Sequence, residues 1–599
     1  MAGGGFIESF LVMLLSLAGI GLPLGMPPGK MDPAIEQAAP DECLVYFNWA
    51  GMVAPDPKSE NDYERFLAEE EIQQFIKKID LLVAKSLIRT YDDGNGRVFA
   101  EQLPLLAKAL LTQPGAIAVG GIDFGPEGPK GDGSLIVSLG EQKAAVETAL
   151  EKINLALGSK ATSVTIDGTE WKQVTLDKGM PSPLWGVHEG YFIAAAGKES
   201  LELLLASRKT PEPAWLTTAK KRTGVARRAV LFYLNAEKAN ELGSSLAGKR
   251  WDRIAAALGA GKAKSLTTAT GFDGADCIAR TQVEFDGEPV GLLATMLGEP
   301  LERKDLQAIP ADSSFAYAAR TSAEELLIEL TATLTAIDSD WGEEFTDFFD
   351  EVKTKGDLDI SKEILEPLGD RWRLFNSPGE GGLVFTGTTL VVSVDDAEQL
   401  RSTAVKLQKL VAANIPVGDP NSTRKPRHVL ISDFSHAGQT VYYVKSIGET
   451  MPFPLAWTIT DGELIVSLFP SGVKAYLSRG DDFASLAKTE YADKLFADGA
   501  PTAIGYQNPR ELFHLFYPIM QYVMHFVSAE AQRDGVDFDV SVLPSAPLIS
   551  RHLKPAVTTF RRTEYGVEIV GRQSMPSSGM VLSPAFLVVP GMMPWFWYF

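Results

Sequence analysis

A chain of 599 residues is too long for one hydrophobic core, so it divides into at least two folded units. Its 45% hydrophobic and 22% charged residues are those of an ordinary globular protein. A net charge of -21 excludes nucleic acid as a partner and disfavours an anionic membrane, since both attract clustered Lys and Arg.

In chain order, residues 1–30 read as a signal peptide or N-terminal anchor standing apart from the fold. Phe10 to Ser16, "FLVMLLS", forms an apolar core, and Ser16-Leu17-Ala18 supplies small residues for cleavage. Glu8 stands where a basic residue is usual, and no Lys or Arg precedes Lys30. The expectation is an extracytoplasmic protein, periplasmic or secreted, with retention by an uncleaved N-terminal segment as one alternative. An apolar helix packed on the protein itself is the other. Cys43 and Cys277 are too few for a disulfide framework or a thiolate metal site; one bridge and two buried free thiols both remain open.

From Pro40 onward the chain writes one pattern twice. "PDECLVYFNW" at Pro40 answers "PADSSFAYAA" at Pro310, and matching the tyrosines by type sets Tyr46 against Tyr317. "MPSPLWGVHEGYFIAAAGKESLELLLASR" at Met180 answers "MPFPLAWTITDGELIVSLFPSGVKAYLSRG" at Met451. "VLFYLNAEKANEL" answers "TAIGYQNPRELFHL", setting Tyr233 against Tyr506 and Asn235 against Asn508. A nearly constant offset over much of the chain predicts a tandem duplication, with halves at 36–305 and 306–599. Within each half, short β-branched strands bounded by Gly, Asp and Pro alternate with helical stretches such as "EQKAAVETALEKINLAL", whose expected stripe is Ala145, Thr148, Ala149, Ile153, Leu155 and Leu157. Paired strands with short turns predict an α+β fold: mainly antiparallel sheets, with helices over one face of each.

The repeated motif reads physically as structure. Its prolines lack an N–H and end a strand. Glu189-Gly190 and Asp461-Gly462 are turn pairs suited to positive φ. Ser200 or Ser471 lies near a helix start, and Leu201, Leu204 and Leu205 bury one face. Together with "DLDISKEILEPLGDRWRLFNSP" at Asp357, the motif resembles a family of exported bacterial proteins without an assigned activity, in which a strand, a Pro-x-Pro turn, a D-G turn and a Leu-rich helix often occur in duplicate. The resemblance implies an extracytoplasmic location and carries over no catalytic residue.

Catalytic and metal signatures are sparse, and neither a cofactor nor a metal is expected. The six histidines form no H-E-x-x-H; His428 and His436 flank Asp433, where strand-end hydrogen bonds outweigh ligation. His514 and His525 share a helix face and read as core or groove residues. Ser485-x-x-Lys488 has neither companion motif of a Ser-Lys acyl enzyme. "YDDGNGR" at Tyr91 and "IDSDWGEEF" at Ile337 miss the spacing of calcium loops, and the acidic run from Asp338 to Glu351 reads as a solvated helix face.

Two apolar stretches stand out. "ELFHLFYPIMQYVMHFVSAEA" from Glu511 is apolar around most of its circumference, which predicts burial on several sides, a cavity wall or a lipid contact. The tail, about 580–599, contains "PAFLVVPGMMPWFWYF", where three prolines argue against a spanning helix and favour a plug docked on the protein over an interface anchor. The favoured function is a non-enzymatic two-lobed scaffold or binding module whose partner the sequence does not name. One alternative is an apolar-ligand or lipid-binding protein, with Phe516, Met520, Phe526, Trp595 and Trp597 as ligand-binding residues and a lipid or membrane-surface contact through the tail. The other is an enzyme of unrecognised type.

Overall fold

Runs of β-branched and small apolar residues form twenty strands among the described residues, every pair of them antiparallel. The computed structural model describes residues 24–78, 94–125, 128–175, 182–382, 385–413, 428–447, 453–533 and 539–576. The signal-like run at 10–16, Met180, Met451 and the tail from 577 lie outside them.

After α1 (Pro33–Gln37), the first lobe runs β1 (Val45–Trp49), α2 (Asp62–Ala68), α3 (Gly94–Thr112), β2 (Gly115–Gly125), β3 (Gly128–Ser138) and α4 (Lys143–Leu157). It continues with β4 (Ala161–Ile166), β5 (Thr169–Val174), β6 (Leu184–His188), β7 (Tyr191–Ala195), α5 (Lys198–Ser207), α6 (Ala214–Thr223) and β8 (Arg227–Asn235). α7 (Ala236–Ala247), α8 (Lys249–Leu258), β9 (Ala263–Asp273) and β10 (Asp276–Phe285) complete it, and α9 (Gly291–Met296) leads onward.

The second lobe repeats this order: β11 (Phe315–Arg320), α10 (Ala323–Ile337), α11 (Ser339–Gly356), β12 (Leu368–Asn376), β13 (Thr388–Val394) and α12 (Ala397–Ala413). Then come β14 (His428–His436), β15 (Gln439–Ile447), β16 (Ala456–Ile459), β17 (Glu463–Ser467), α13 (Pro470–Leu477), α14 (Glu490–Phe496) and β18 (Ala503–Gln507). α15 (Pro509–Arg533), α16 (Ala546–His552), β19 (Ala556–Thr563) and β20 (Gly566–Gln573) close it.

Strand pairing repeats with the elements. The first lobe has the order β4-β5-β6-β7-β3-β2-β1-β8-β9-β10, and the second has β14-β15-β16-β17-β13-β12-β11-β18-β19-β20. β10 pairs with β20, so the two sheets join edge to edge into one, and each covers the other's open edge. The fold is α+β and a tandem duplication.

Register shows where the sequence match slips. Tyr46 pairs with Tyr233, whereas the partner of Tyr506 is Ala316. Ala316 is therefore the equivalent of Tyr46, and Tyr317 is the equivalent of Phe47. Burial agrees, since β1 and the first five residues of β11 follow the same inward and outward sequence. A slip of one residue moves a side chain to the opposite face of a sheet, so matching the two tyrosines was wrong by one position. The pair Asn235 and Asn508 does hold: the Asn235 N–H donates to the Leu44 carbonyl at 2.9 Å, and the Asn508 N–H to the Ser314 carbonyl at 2.7 Å. Trp185 and Trp457 also correspond, each lying across from the residue before the last of its neighbouring strand, Ala194 and Val466. The turns between these strands differ. Glu189 and Gly190 both take positive φ, as a two-residue hairpin requires, while the longer turn at Thr460–Glu463 lets Asp461 and Gly462 avoid it.

Helices pack on both faces of the first lobe's sheet, not on one. On one face Ile35, Leu201, Leu204, Leu205 and Leu216 meet Tyr46, Ile136, Ile193 and Leu231. On the other, Tyr63 and Phe66 of α2 meet Trp49, Val137, Val230 and Phe272. Two faces are needed because Phe47, Trp49 and Val137 alternate with Tyr46 and Ile136 along strands whose both sides are apolar. The second face is closed partly by α15 and α16 of the second lobe, through Tyr517, Leu548 and Ile549. The buried stripe of α4 is Val146, Ala149, Leu150 and Ile153, while Leu155 is 81% exposed. The stripe expected there was displaced because Val146 and Leu150, at i and i+4, outcompete it. The N-terminal boundary also moves. Met26 is 3% exposed in the same cluster as Trp49 and Tyr63, so the described residues 24–30 pack with the first lobe and not apart from the fold; residues 1–23 lie outside the described residues.

Candidate functional site

The long helix after β18 is where the lobes differ most. Its counterpart α7 has 12 residues, "AEKANELGSSLA", half of them polar; α15 has 25, of which most are apolar. Both start from the equivalent asparagine. Asn235 Oδ1 accepts the Lys238 N–H at 3.0 Å, and Asn508 Oδ1 accepts the Arg510 N–H at 3.2 Å. Pro509 follows at a position where a missing N–H costs nothing.

One face of α15 is docked. Phe513, Tyr517, Met520 and Met524 recur at helical spacing; Tyr517 and Met524 are buried, and Phe513 and Met520 pack partly buried against a cluster that joins first-lobe residues to Leu548 and Ile549 of α16. The Phe513 and Tyr517 rings lie 4.6 Å apart, and the Tyr517 hydroxyl donates to the Pro544 carbonyl. Burial pushes that hydroxyl's pKa up to about 12, so it stays a donor at any physiological pH.

The other face is open. Phe516 is 50% exposed, Ile519 54%, Tyr522 66% and Phe526 56%. At about 100° per residue these four centre about 135° around the helix from the docked residues. Tyr522 and Phe526 stack edge to face, with centroids 5.0 Å apart. Burial of α15 on several sides is thus not what occurs: it has one docked face and one uncovered apolar stripe. His514 and His525, expected in the core or a groove, are exposed beside it.

Of the ligand-binding residues expected from sequence, the structure places Phe516 and Phe526 on the open face and Met520 on the docked one. Trp595 and Trp597 lie outside the described residues. Ile519 and Tyr522 were missed, although Phe516, Ile519, Tyr522 and Phe526 follow one another at helical spacings of three, three and four. Elsewhere, exposed Ile328, Trp341 and Phe348 on α10 and α11 stand among exposed Asp340, Glu343, Glu344 and Asp347, and form no comparable stripe.

Other candidates resolve into structure. An open cleft of about 720 Å³ is lined by Lys30, Lys220, Arg227 and Arg228. Glu64 answers Arg227 at 2.7 Å, while Glu36 answers Lys220 at 2.9 Å and also Arg228. A second cleft, of about 520 Å³, is lined by Glu69, Glu71 and Arg551 and by no residue of the stripe. His436 hydrogen-bonds Ser478 Oγ at 2.9 Å, and Asp433 accepts from Gln408 at 2.9 Å, so His428, Asp433 and His436 do not converge. Ser485 Oγ is buried without a hydrogen-bond partner, and Lys488 donates to the Phe483 carbonyl at 3.2 Å. Among the described residues no three His, Cys, Asp or Glu side chains cluster as a metal site, and no helix is long and apolar enough to cross a membrane.

No family model matches this chain, and a comparison with curated proteins finds no match. Solved structures give weak likenesses. Crystal form I of TP0453 is similar over 44% of this chain and 82% of its own at 9% identity, with a TM-score of 0.22. Crystal form III covers 45% and 85%, also at 9% identity, with a TM-score of 0.23. Likeness at that level supports no argument about fold or function.

Proposed function

We propose that this protein is an exported, non-enzymatic scaffold of two fused lobes that binds an apolar protein surface through the open face of α15. One observation carries the reading: Phe516, Ile519, Tyr522 and Phe526 form an uncovered stripe on a helix whose counterpart in the other lobe is half as long and exposes a single large apolar side chain, Leu246. Apolar residues scattered singly over a surface need no explanation, but an aligned aromatic stripe marks an interaction site. Aromatic side chains suit such a role because they bring large contact area at low entropic cost. The charge of -21 opposes docking on anionic lipid, which favours a protein partner. Export rests on the N-terminal apolar run and on the resemblance of the duplicated motif to exported bacterial proteins.

The test replaces all four residues by Ser. These side chains are exposed, so the urea midpoint should barely move, while proteins retained by the wild-type chain from an extract of its own host should be lost. Retention of the same proteins by the four-fold variant would overturn the reading.

A further inference from the structure

The open face of α15 has a repeat that fits another helix. Leu512, Ile519 and Phe526 recur every seven residues, and Leu515 and Tyr522 each stand three further on from the first two. At about 100° per residue all five lie on the side that carries Phe516, and Leu512 and Leu515 are only half-buried there. A seven-residue repeat of this kind is the seam along which one α-helix lies beside another. We propose that the occupant of this seam is α15 of a second copy of this chain, packed antiparallel about a two-fold axis. This rests on the reading of α15 as a docking surface and names its partner.

The seam complements itself. Antiparallel helices of one sequence face each other at residue numbers of constant sum. An axis between Ile519 and Tyr522 sets Ile519 of one copy against Tyr522 of the other. The same register sets Leu515 against Phe526, and Leu512 against the exposed Ala529. Each aromatic of the seam then meets an aliphatic side chain, large against small, and the contact is the same for both copies.

Charge permits the pair. Two chains of net charge -21 repel, but residues 512–529 contain no Asp, Glu, Lys or Arg, so the seam itself brings no like charges together. One charge of each sign stands at either end, Arg510 and Glu511 before the stretch and Glu530 and Arg533 after it. Antiparallel packing sets these mixed ends against each other, whereas parallel packing would set every charge beside its own copy. Area permits it too. Half or more of Phe516, Ile519, Tyr522 and Phe526 is open, and an aromatic side chain has about 150–250 Å² to bury. Over two copies, with Leu512 and Leu515, that comes to roughly 1,000 Å², the lower edge of specific interfaces. The pair is therefore reversible and fills with concentration.

The test is sedimentation equilibrium of the purified full chain, without detergent, from micromolar to hundreds of micromolar. The average mass should rise towards twice that of the monomer, and replacing Phe516, Ile519, Tyr522 and Phe526 by Ser should abolish the rise. Two charge variants test the register. Ile519→Glu and Tyr522→Arg, each alone, should stay monomeric, because either would bury two unpaired charges against itself. Mixed in equal amounts they should pair, because the introduced carboxylate then faces the introduced guanidinium. Both positions are exposed, so both variants should keep the wild-type urea midpoint. A wild type that stays monomeric at every concentration would overturn the proposal. So would a dimer that survives the four-fold Ser variant, single variants that still pair, or a mixture that does not. If the wild type is monomeric but the four-fold Ser variant loses host proteins, the docking reading stands and only the self-pairing fails. If the dimer needs the four residues but retention of other host proteins does not, the self-pairing stands and docking of those proteins fails.

Discussion

Arg280 of β10 faces Val570 of β20 across the junction of the two sheets, and the two residues hold the same position in their lobes. Each is the fifth residue of a strand that follows a two-residue turn, closed by Asp273 and Asp276 in one lobe and by Thr563 and Gly566 in the other. Equivalent residues that pair directly place a two-fold axis between them. The duplicated chain is thus built like an isologous dimer fused into one molecule, with two sheet edges buried against each other.

The junction is charged as well as hydrogen-bonded. Arg280 binds Glu568 at 2.8 Å and Asp498 at 3.3 Å, Arg561 also binds Glu568, and Arg572 joins Asp498 at 2.9 Å. Glu568 is buried, so Glu568→Gln should leave two guanidinium groups short of countercharge and cost ~3–5 kcal/mol. Calorimetry should show the loss, and a single unfolding transition splitting in two would locate it at the junction.

The same network sets an acid limit. Burial alone would raise the Asp498 carboxyl, but Arg572, Arg280 and Arg561 outweigh it and hold its pKa below the usual value. A carboxyl depressed in the folded state stabilises above its unfolded pKa, about 3.9, and that contribution is lost as pH falls through the folded value. Urea titrations at stepped pH should show stability falling below about pH 4. Asp498→Asn should be less stable at pH 7 and lose less on acidification.

Neighbouring residues of α15 should respond oppositely to truncation. Tyr517 is buried in the cluster shared by the two lobes, so Tyr517→Ala should cost ~3–5 kcal/mol, as large-to-small core changes do. Phe516 is half exposed, so Phe516→Ala should cost about 1 kcal/mol or less. Urea midpoints of the two variants decide this, and equal losses would place Phe516 in a core.

Cys43 and Cys277 are both free and buried in separate clusters, which settles the choice left open by their number. Burial pushes the Cys43 thiol up to about 12 and raises Cys277 well above the usual range. Alkylation at pH 8 should be slow in the native protein and complete in denaturant, with no change in mass on reduction.

Much of this architecture was legible in the sequence. The repeated motif and the Asn235/Asn508 pair gave the duplication, because they mark positions where a strand hands over to a helix. The register at Tyr46 was legible too: counted from Pro40 and Pro310, Tyr46 falls on Ala316 and Phe47 on Tyr317, as the ladder has them. Pairing the two tyrosines by residue type, not by count, put the match one position out. The site was half legible. Composition marked α15 as unusual, but which side docks depends on first-lobe residues such as Tyr63 and Met26, hundreds of positions away, that no local pattern can indicate. The edge-to-edge joining of β10 and β20 is equally non-local, since neither strand's sequence names its partner.

The central claim is that the open face of α15, and not its counterpart in the other lobe, is the binding surface. Photocrosslinking in the native host tests it most directly, with p-benzoylphenylalanine placed in one strain at Ile519 and in another at the exposed Leu246 of α7. The account predicts a discrete protein adduct from position 519, lost when Phe516 and Phe526 are also replaced by Ser, and none from position 246. Equal adducts from both positions, or none from 519, would contradict it.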